Sequence, residues 1–269
     1  MNTTIEKPKA DFLFEEYQSK QHFAIGFENI LKQSHALHHS DKFIFDGKNW
    51  IIKPYHGFAV VSMVNNNPGN EILLQNLSDI KKHLNNRLNK RETYYMLPEH
   101  SFHQTIANTL SDKRFYENIV NKGLLDIFPE NVEGAFNKIR LDFRNGPIKM
   151  KMIGLNVFGS CVALLGIFGK EDDYQDIQSF RKQFYSDYKI QATDTKWTRP
   201  FVGHITLAYL GREINNEERT LLADIINEVN SSFDFNDAVF NITQTELRSY
   251  TDLSCFNKIT NYPVFNFVK

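Results

Sequence analysis

Phe102-His103-Gln104-Thr105-Ile106 and Val202-Gly203-His204-Ile205-Thr206-Leu207 are two copies of one short pattern, about a hundred residues apart. In each, a histidine and a threonine stand two residues apart inside an apolar run. Strand side chains alternate faces, so at this spacing the imidazole and the hydroxyl leave the same side and the apolar neighbours leave the other. The pattern predicts two β-strands, each with one side in a core and one side carrying polar chemistry. A single such strand offers a proton-transfer group and a hydrogen-bond donor sized for a phosphate oxygen. Two of them facing each other offer a general base, a general acid and two anchoring hydroxyls. That set suffices to cleave a phosphodiester without a metal.

The spacing alone is a weak signal. With 9 histidines and 14 threonines in 269 residues, chance supplies on the order of 0.5 His-x-Thr matches. Allowing serine adds His38-His39-Ser40, which has no strand pattern around it and is set aside. Context separates the other two. Both lie in β-compatible apolar segments, and each is followed by a helix-like stretch.

On these residues the chain resembles the two-histidine phosphoesterase superfamily, whose members carry two His-x-Thr/Ser motifs, one per lobe of a duplicated α+β fold. The superfamily includes 2′,3′-cyclic phosphodiesterases, RNA 2′-5′ ligase-like proteins and exonucleases that trim RNA ends. The closer resemblance is to a poorly characterised bacterial branch. It rests on Leu97-Pro98-Glu99-His100-Ser101-Phe102-His103-Gln104-Thr105 and on Gly203-His204-Ile205-Thr206-Leu207-Ala208-Tyr209-Leu210, and it spans about residues 45–269. The branch is expected to carry Met where Gln104 stands. On a strand, position 104 faces away from His103 and Thr105, so the departure leaves their chemistry intact. The resemblance implies a bilobal, duplicated α+β fold, with two mainly antiparallel sheets flanking a central cleft and helices outside. It also implies His103 and His204 as catalytic residues and Thr105 and Thr206 as phosphate-binding residues.

Composition narrows the alternatives. Hydrophobic residues make up 41% of the chain and aromatic ones 13%, enough for a sizeable core. The formal net charge of −1 excludes the global basic field of a nonspecific duplex-DNA binder. The two cysteines, Cys161 and Cys255, form no Cys-x-x-Cys spacing, so neither a zinc site nor a redox pair is expected. A reducing, cytoplasmic compartment is the simple expectation. Residues 1–16 contain no apolar signal-peptide core. The apolar run 152–169 raises the question of a membrane span. However, Ile153, Leu155 and Val157 alternate, and Gly159-Ser160 can turn, so a hairpin over 148–168 is expected instead.

Along the chain, residues 1–42 read as an N-terminal helical extension, with a helix over 11–32. Residues 43–269 read as a single two-lobed domain. A hairpin is expected about Asp46-Gly47, a strand over 57–64 and a helix over 71–89. Strands at 94–97 and 102–107 are followed by helices at 112–121 and 131–142. A helix over 174–188, the second motif strand at 201–210, and a helix over 217–231 capped by Asn215 or Asn216 come next. Strands at 239–250 and 264–268 close the chain. Long helices between antiparallel-looking strands predict α+β rather than a doubly wound parallel sheet.

Other side chains bear on the chemistry. Arg199 precedes His204 by five residues and is a candidate phosphate contact, and Trp197 is a candidate base-stacking residue. Tyr209, by simple alternation with His204, is assigned to the core. Arg140 and Arg144 are assigned to the solvated face of a helix. His35, His38 and His39 fall at helical spacing but lack a completing cysteine or paired carboxylate, so no metal site is assigned. The sequence thus predicts a metal-independent, cofactor-free phosphodiesterase acting on a 2′,3′-cyclic phosphate or a related nucleotide or RNA-end diester. Two rivals stand beside it: a non-catalytic module binding an RNA end or cyclic nucleotide, and an enzyme whose substrate is a cyclic oligonucleotide messenger.

Overall fold

The computed structural model describes residues 12–88, 92–142 and 144–268. Asp11, the expected start of one helix, and Asn89, the expected end of another, lie outside the described residues. The chain opens with helices α1 (Phe14–Ala24) and α2 (Phe27–Ala36), then strands β1 (Phe43–Phe45), β2 (Trp50–Ile52) and β3 (Gly57–Met63). Next come α3 (Glu71–Leu88), β4 (Tyr94–Met96), β5 (His103–Ser111), α4 (Asp112–Phe115) and α5 (Ile127–Phe136). The hairpin β6 (Ile148–Phe158) and β7 (Cys161–Phe168) leads to α6 (Glu171–Ser186), α7 (Tyr188–Ala192), β8 (Gly203–Leu210) and α8 (Asn216–Ser232). Strands β9 (Val239–Ile242), β10 (Gln244–Asp252), β11 (Cys255–Asn257) and β12 (Val264–Asn266) follow.

Two five-stranded sheets organise these elements. One runs β11-β10-β3-β5, with β12 also on β10; the other runs β4-β8-β7-β6-β9. The pairings within both are antiparallel, as is the separate β1–β2 hairpin. The protein is therefore a mixed α+β fold with several antiparallel sheets and helices interspersed. The two motif strands, β5 and β8, belong to different sheets.

Helix faces follow from apolar spacing. In α3, Leu73, Leu77, Ile80, Leu84 and Leu88 form one buried stripe. Asn215 caps α8 with a full capping box: its side chain accepts from the Glu218 N–H, and the Glu218 carboxylate accepts from the Asn215 N–H. Three expectations need correction. The helix expected over 11–32 is two helices, because Gly26 takes an extended conformation and starts α2 afresh. The helix expected over 131–142 begins earlier, at Ile127, because Pro129 falls in its first turn, where no intrahelical N–H is needed. The strand expected over 239–250 is broken into β9 and β10, which pair in different sheets.

The run 152–169 is the β6–β7 hairpin, and β7 is buried along its whole length. Burial on both faces explains its continuous apolarity. No helix among the described residues is long and apolar enough to cross a membrane. The segment before residue 43 contributes Tyr17, Ile30 and Leu37 to the main hydrophobic core.

Candidate functional site

The two motifs are built alike. On β5, His103 and Thr105 are half-buried, while Gln104 and Ile106 are buried. On β8, His204 and Thr206 are half-buried, while Ile205 and Leu207 are buried. Each strand then slips register directly after its threonine. Thr105 pairs with Val61 and Ala107 with Val60, so Ile106 is the extra residue. Thr206 pairs with Ala163 and Ala208 with Val162, so Leu207 is the extra residue. A bulge of this kind bends the strand and re-aims the side chains beyond it. Both strands read His-x-Thr-apolar-Ala across it.

The imidazoles are also held alike. His103 Nδ1 lies 2.6 Å from the Ser101 carbonyl oxygen, and His204 Nδ1 lies 2.9 Å from that of Val202. A carbonyl only accepts, so each Nδ1 carries the proton and each neutral ring keeps Nε2 as its base. Each ring also meets a phenylalanine: His103 sits 4.1 Å from Phe256 between centroids, and His204 meets Phe158 edge-on at 5.2 Å. Burial pushes the His103 pKa down to about 4, against the Ser101 hydrogen bond, and the charges of His204 and Arg248 push the same way. Burial lowers His204 as well, opposed by the Val202 hydrogen bond.

The surroundings come from distant parts of the chain. On the His103 side of its sheet lie Ala59, Val61, Met63 and Tyr250, a small apolar cluster distinct from the main core, with Tyr55 and Phe256 against it. Arg248 and Glu246 form a buried ion pair at 2.5 Å, with Asn66 donating to Glu246 and Arg248 donating to the Phe256 carbonyl. On the His204 side, the Thr206 hydroxyl sits against the Cys161 thiol and the Tyr209 phenol. Burial pushes the Cys161 thiol up to about 12, so it stays protonated. Tyr209 packs against the main core, its ring stacked on the buried Phe43 at 4.9 Å, but from the Thr206 side of β8 rather than the side that simple alternation assigned to it. The bulge at Leu207 returns it to the side of Thr206, where its phenol also feels Tyr250 of the other sheet and Tyr55 just before β3.

Gly203 owes its place to close packing. A Cβ there would run into the Gly166 carbonyl oxygen and come within 2.7 Å of Met150 Sδ. This is where α1 docks: Gln21 Nε2 donates to the carbonyls of both Gly166 and Gly203, and the Tyr17 hydroxyl donates to Gly166.

Trp197 and Arg199 are anchored to α6. The Trp197 ring stacks on Tyr185 at 6.1 Å and its Nε1 donates to the Arg199 carbonyl, which also accepts from Arg181. The Arg199 side chain is exposed. The contacts that hold the two histidines include neither residue. Arg144 is not on a solvated helix face: it lies beyond α5 and pairs with Asp173 and Asp176. It helps line a broad, open cavity of about 1060 Å³ that includes none of the motif residues. His39 pairs with Glu213 at 2.6 Å, and His35 Nε2 lies 3.5 Å from the Thr220 hydroxyl. Among the described residues, no three His, Cys, Asp or Glu side chains gather as a metal-holding group.

No protein-family model matches the chain. No curated protein matches it. Among solved structures, the fold is similar to that of a conserved protein of unknown function from Agrobacterium tumefaciens. That match has a TM-score of 0.54 and 14% identity, over 88% of this chain and 96% of that one. A protein of Thermus thermophilus aligns with a TM-score of 0.42 and 11% identity, over 71% of this chain and 86% of that one. The first likeness is one of fold alone.

Proposed function

We propose that the chain is a phosphodiesterase that hydrolyses a 2′,3′-cyclic phosphate, or a related nucleotide or RNA-end diester, with His103 and His204 as its acid–base pair. In this reading the two sheets are the lobes of one duplicated unit, and the two motifs face each other across a cleft between them. The supporting observation is the like construction of the two motifs. Two strands from different sheets share His-x-Thr-apolar-Ala, a bulge directly after the threonine, and an Nδ1 fixed by the carbonyl two residues back. Core packing requires none of these coincidences.

One neutral imidazole takes a proton from the attacking water through Nε2. The water oxygen bonds to phosphorus, the bond to the departing ribose oxygen breaks, and the other imidazole, protonated, gives that oxygen its proton. Thr105 and Thr206 donate to the non-bridging oxygens, where charge accumulates. Without substrate, both imidazoles are held toward the neutral form, which readies the base. The acid gains its proton with the substrate, because a bound phosphodiester anion favours the charged form of a neighbouring imidazole.

The test is a screen of the purified, exhaustively chelated protein against 2′,3′-cyclic and 3′,5′-cyclic mononucleotides, short RNA and cyclic dinucleotides, with product identification. One class should be turned over without added metal. If turnover appears only when a divalent metal is restored, the two-histidine mechanism is wrong. Tight nucleotide binding with no turnover replaces the enzyme by a binding module.

A further inference from the structure

Gln104 stands between His103 and Thr105 in the first motif, yet its side chain serves the second. It is 1% exposed and faces away from His103, as strand alternation requires. Its Oε1 accepts the His204 backbone N–H at 2.5 Å. Its Nε2 donates to the Val202 carbonyl at 3.3 Å and to the Thr105 carbonyl at 2.7 Å. The amide's two donors and its acceptor are therefore all engaged.

Two features make this more than a generic buried contact. The first is where the β8 edge runs out of strand partner. The β4 ladder covers Tyr94–Met96 against Leu210–Ala208, and the Leu97 N–H adds one bond to the Leu207 carbonyl. Before that point the Gln104 amide meets the backbone of residues 202 and 204 in place of a strand. The second is which carbonyl it grips. Val202 O is the atom that accepts from His204 Nδ1 and so fixes which ring nitrogen faces outward. Gln104 holds that carbonyl and the His204 N–H together, on either side of Gly203.

We propose that Gln104 is a positioning residue that couples the motifs: from the first it orients the Val202 carbonyl, and through it sets the tautomer and direction of His204 in the second. A pure packing role would ask only for apolar volume. The amide instead hydrogen-bonds two backbone groups of the second motif, 98 and 100 residues away. The proposal rests on the reading of His204 as a working acid or base, but its primary test needs no substrate.

That test is ¹⁵N NMR of the ring nitrogens in the full chain, comparing wild type with Gln104→Met. Met keeps the buried volume and removes all three hydrogen bonds. In wild type, both histidines should be Nδ1-protonated at neutral pH, and the His204 amide should be strongly protected from hydrogen exchange. In Gln104→Met, His204 should become a mixture of tautomers, while His103, tied to Ser101, is unchanged. A single Nδ1–H tautomer for His204 in folded Gln104→Met, with an unshifted titration, overturns the proposal. Should that variant fail to fold, wild type still decides: a His204 amide that exchanges as fast as an unpaired edge amide overturns it equally. With a substrate in hand, Gln104→Met should lower kcat roughly tenfold and leave KM within about twofold, the signature of misplaced chemistry rather than lost binding. The same change in a His204→Ala background should then add nothing. A further tenfold loss there shows that Gln104 acts by another route.

Discussion

His103 and His204 keep the same nitrogen free, and burial shifts both toward the neutral form. That state suits a base and starves an acid, which sets the pH dependence of the proposed reaction. Relative to the free enzyme the reaction must take up one proton, because both imidazoles titrate below the ordinary value near 6.5. The protonated fraction therefore falls as pH rises through the pair's apparent values, and kcat/KM should be higher at about pH 5.5 than at about 7.5. An optimum above neutrality would contradict the assignment. His103→Ala and His204→Ala should each cost roughly 10²–10⁴ in turnover, and the double variant little more than the worse single one. At this scale much of the candidate site was legible. Alternation gave the shared face of each His–Thr pair without any tertiary information. Gln104 was legible only in part: its direction follows from the strand, but its partners lie about a hundred residues on. Arg248, Glu246 and Phe256 sit beyond any local pattern, on strands whose neighbours are set only by the folded sheet.

Elements were legible where a period or a cap marked them, and not where a single residue broke the period. The β6–β7 hairpin, α3 and α8 follow from alternation, a leucine stripe and an asparagine cap. The bulges in β5 and β8 do not, because an inserted residue looks like any other apolar residue in a strand. Missing the bulge at Leu207 assigned Tyr209 to the wrong face. A bulge also shows why a motif needs more than spacing: the ladder continues past it, but the alternation of faces is shifted by one residue right behind the threonine. The cap offers a clean check on element-level reasoning. Asn215→Ala removes the side-chain acceptor for the Glu218 N–H, one of the two bonds of the capping box on α8, a helix whose Leu222, Ile225, Ile226 and Val229 are buried. It should destabilise the protein by about 1 kcal/mol, read as a lower denaturant midpoint with an unchanged slope. No change in midpoint would mean that α8 is held by packing alone.

For the molecule as a whole, the least legible feature is how the helices of residues 14–36 join the rest. The stripe that α1 buries includes Tyr17 and the polar Gln21, while its Phe23 is 72% exposed. No clean apolar face announces a docked helix, and the docking partners are backbone carbonyls 145 to 182 residues away. Yet Tyr17 is only 1% exposed. Its ring stacks on Tyr174 at 4.6 Å, neighbours Phe168 and Phe201, and its hydroxyl donates to Gly166, the residue paired with Gly203 just before His204. If α1 is part of the cooperative unit, Tyr17→Ala opens a cavity inside that aromatic cluster and should cost about 3–5 kcal/mol, the range for deleting a large buried ring. Tyr17→Phe keeps the ring, removes only the hydrogen bond and should cost about 1 kcal/mol. Both would be measured by denaturant unfolding followed with a probe in α8, far along the chain from the substitution. A dispensable appendage predicts the opposite: both variants within about 0.5 kcal/mol of wild type at that probe, as for an ordinary surface change. A large loss for Tyr17→Ala and a small one for Tyr17→Phe, felt at α8, would place the N-terminal helices inside the single folding unit that carries both histidine motifs.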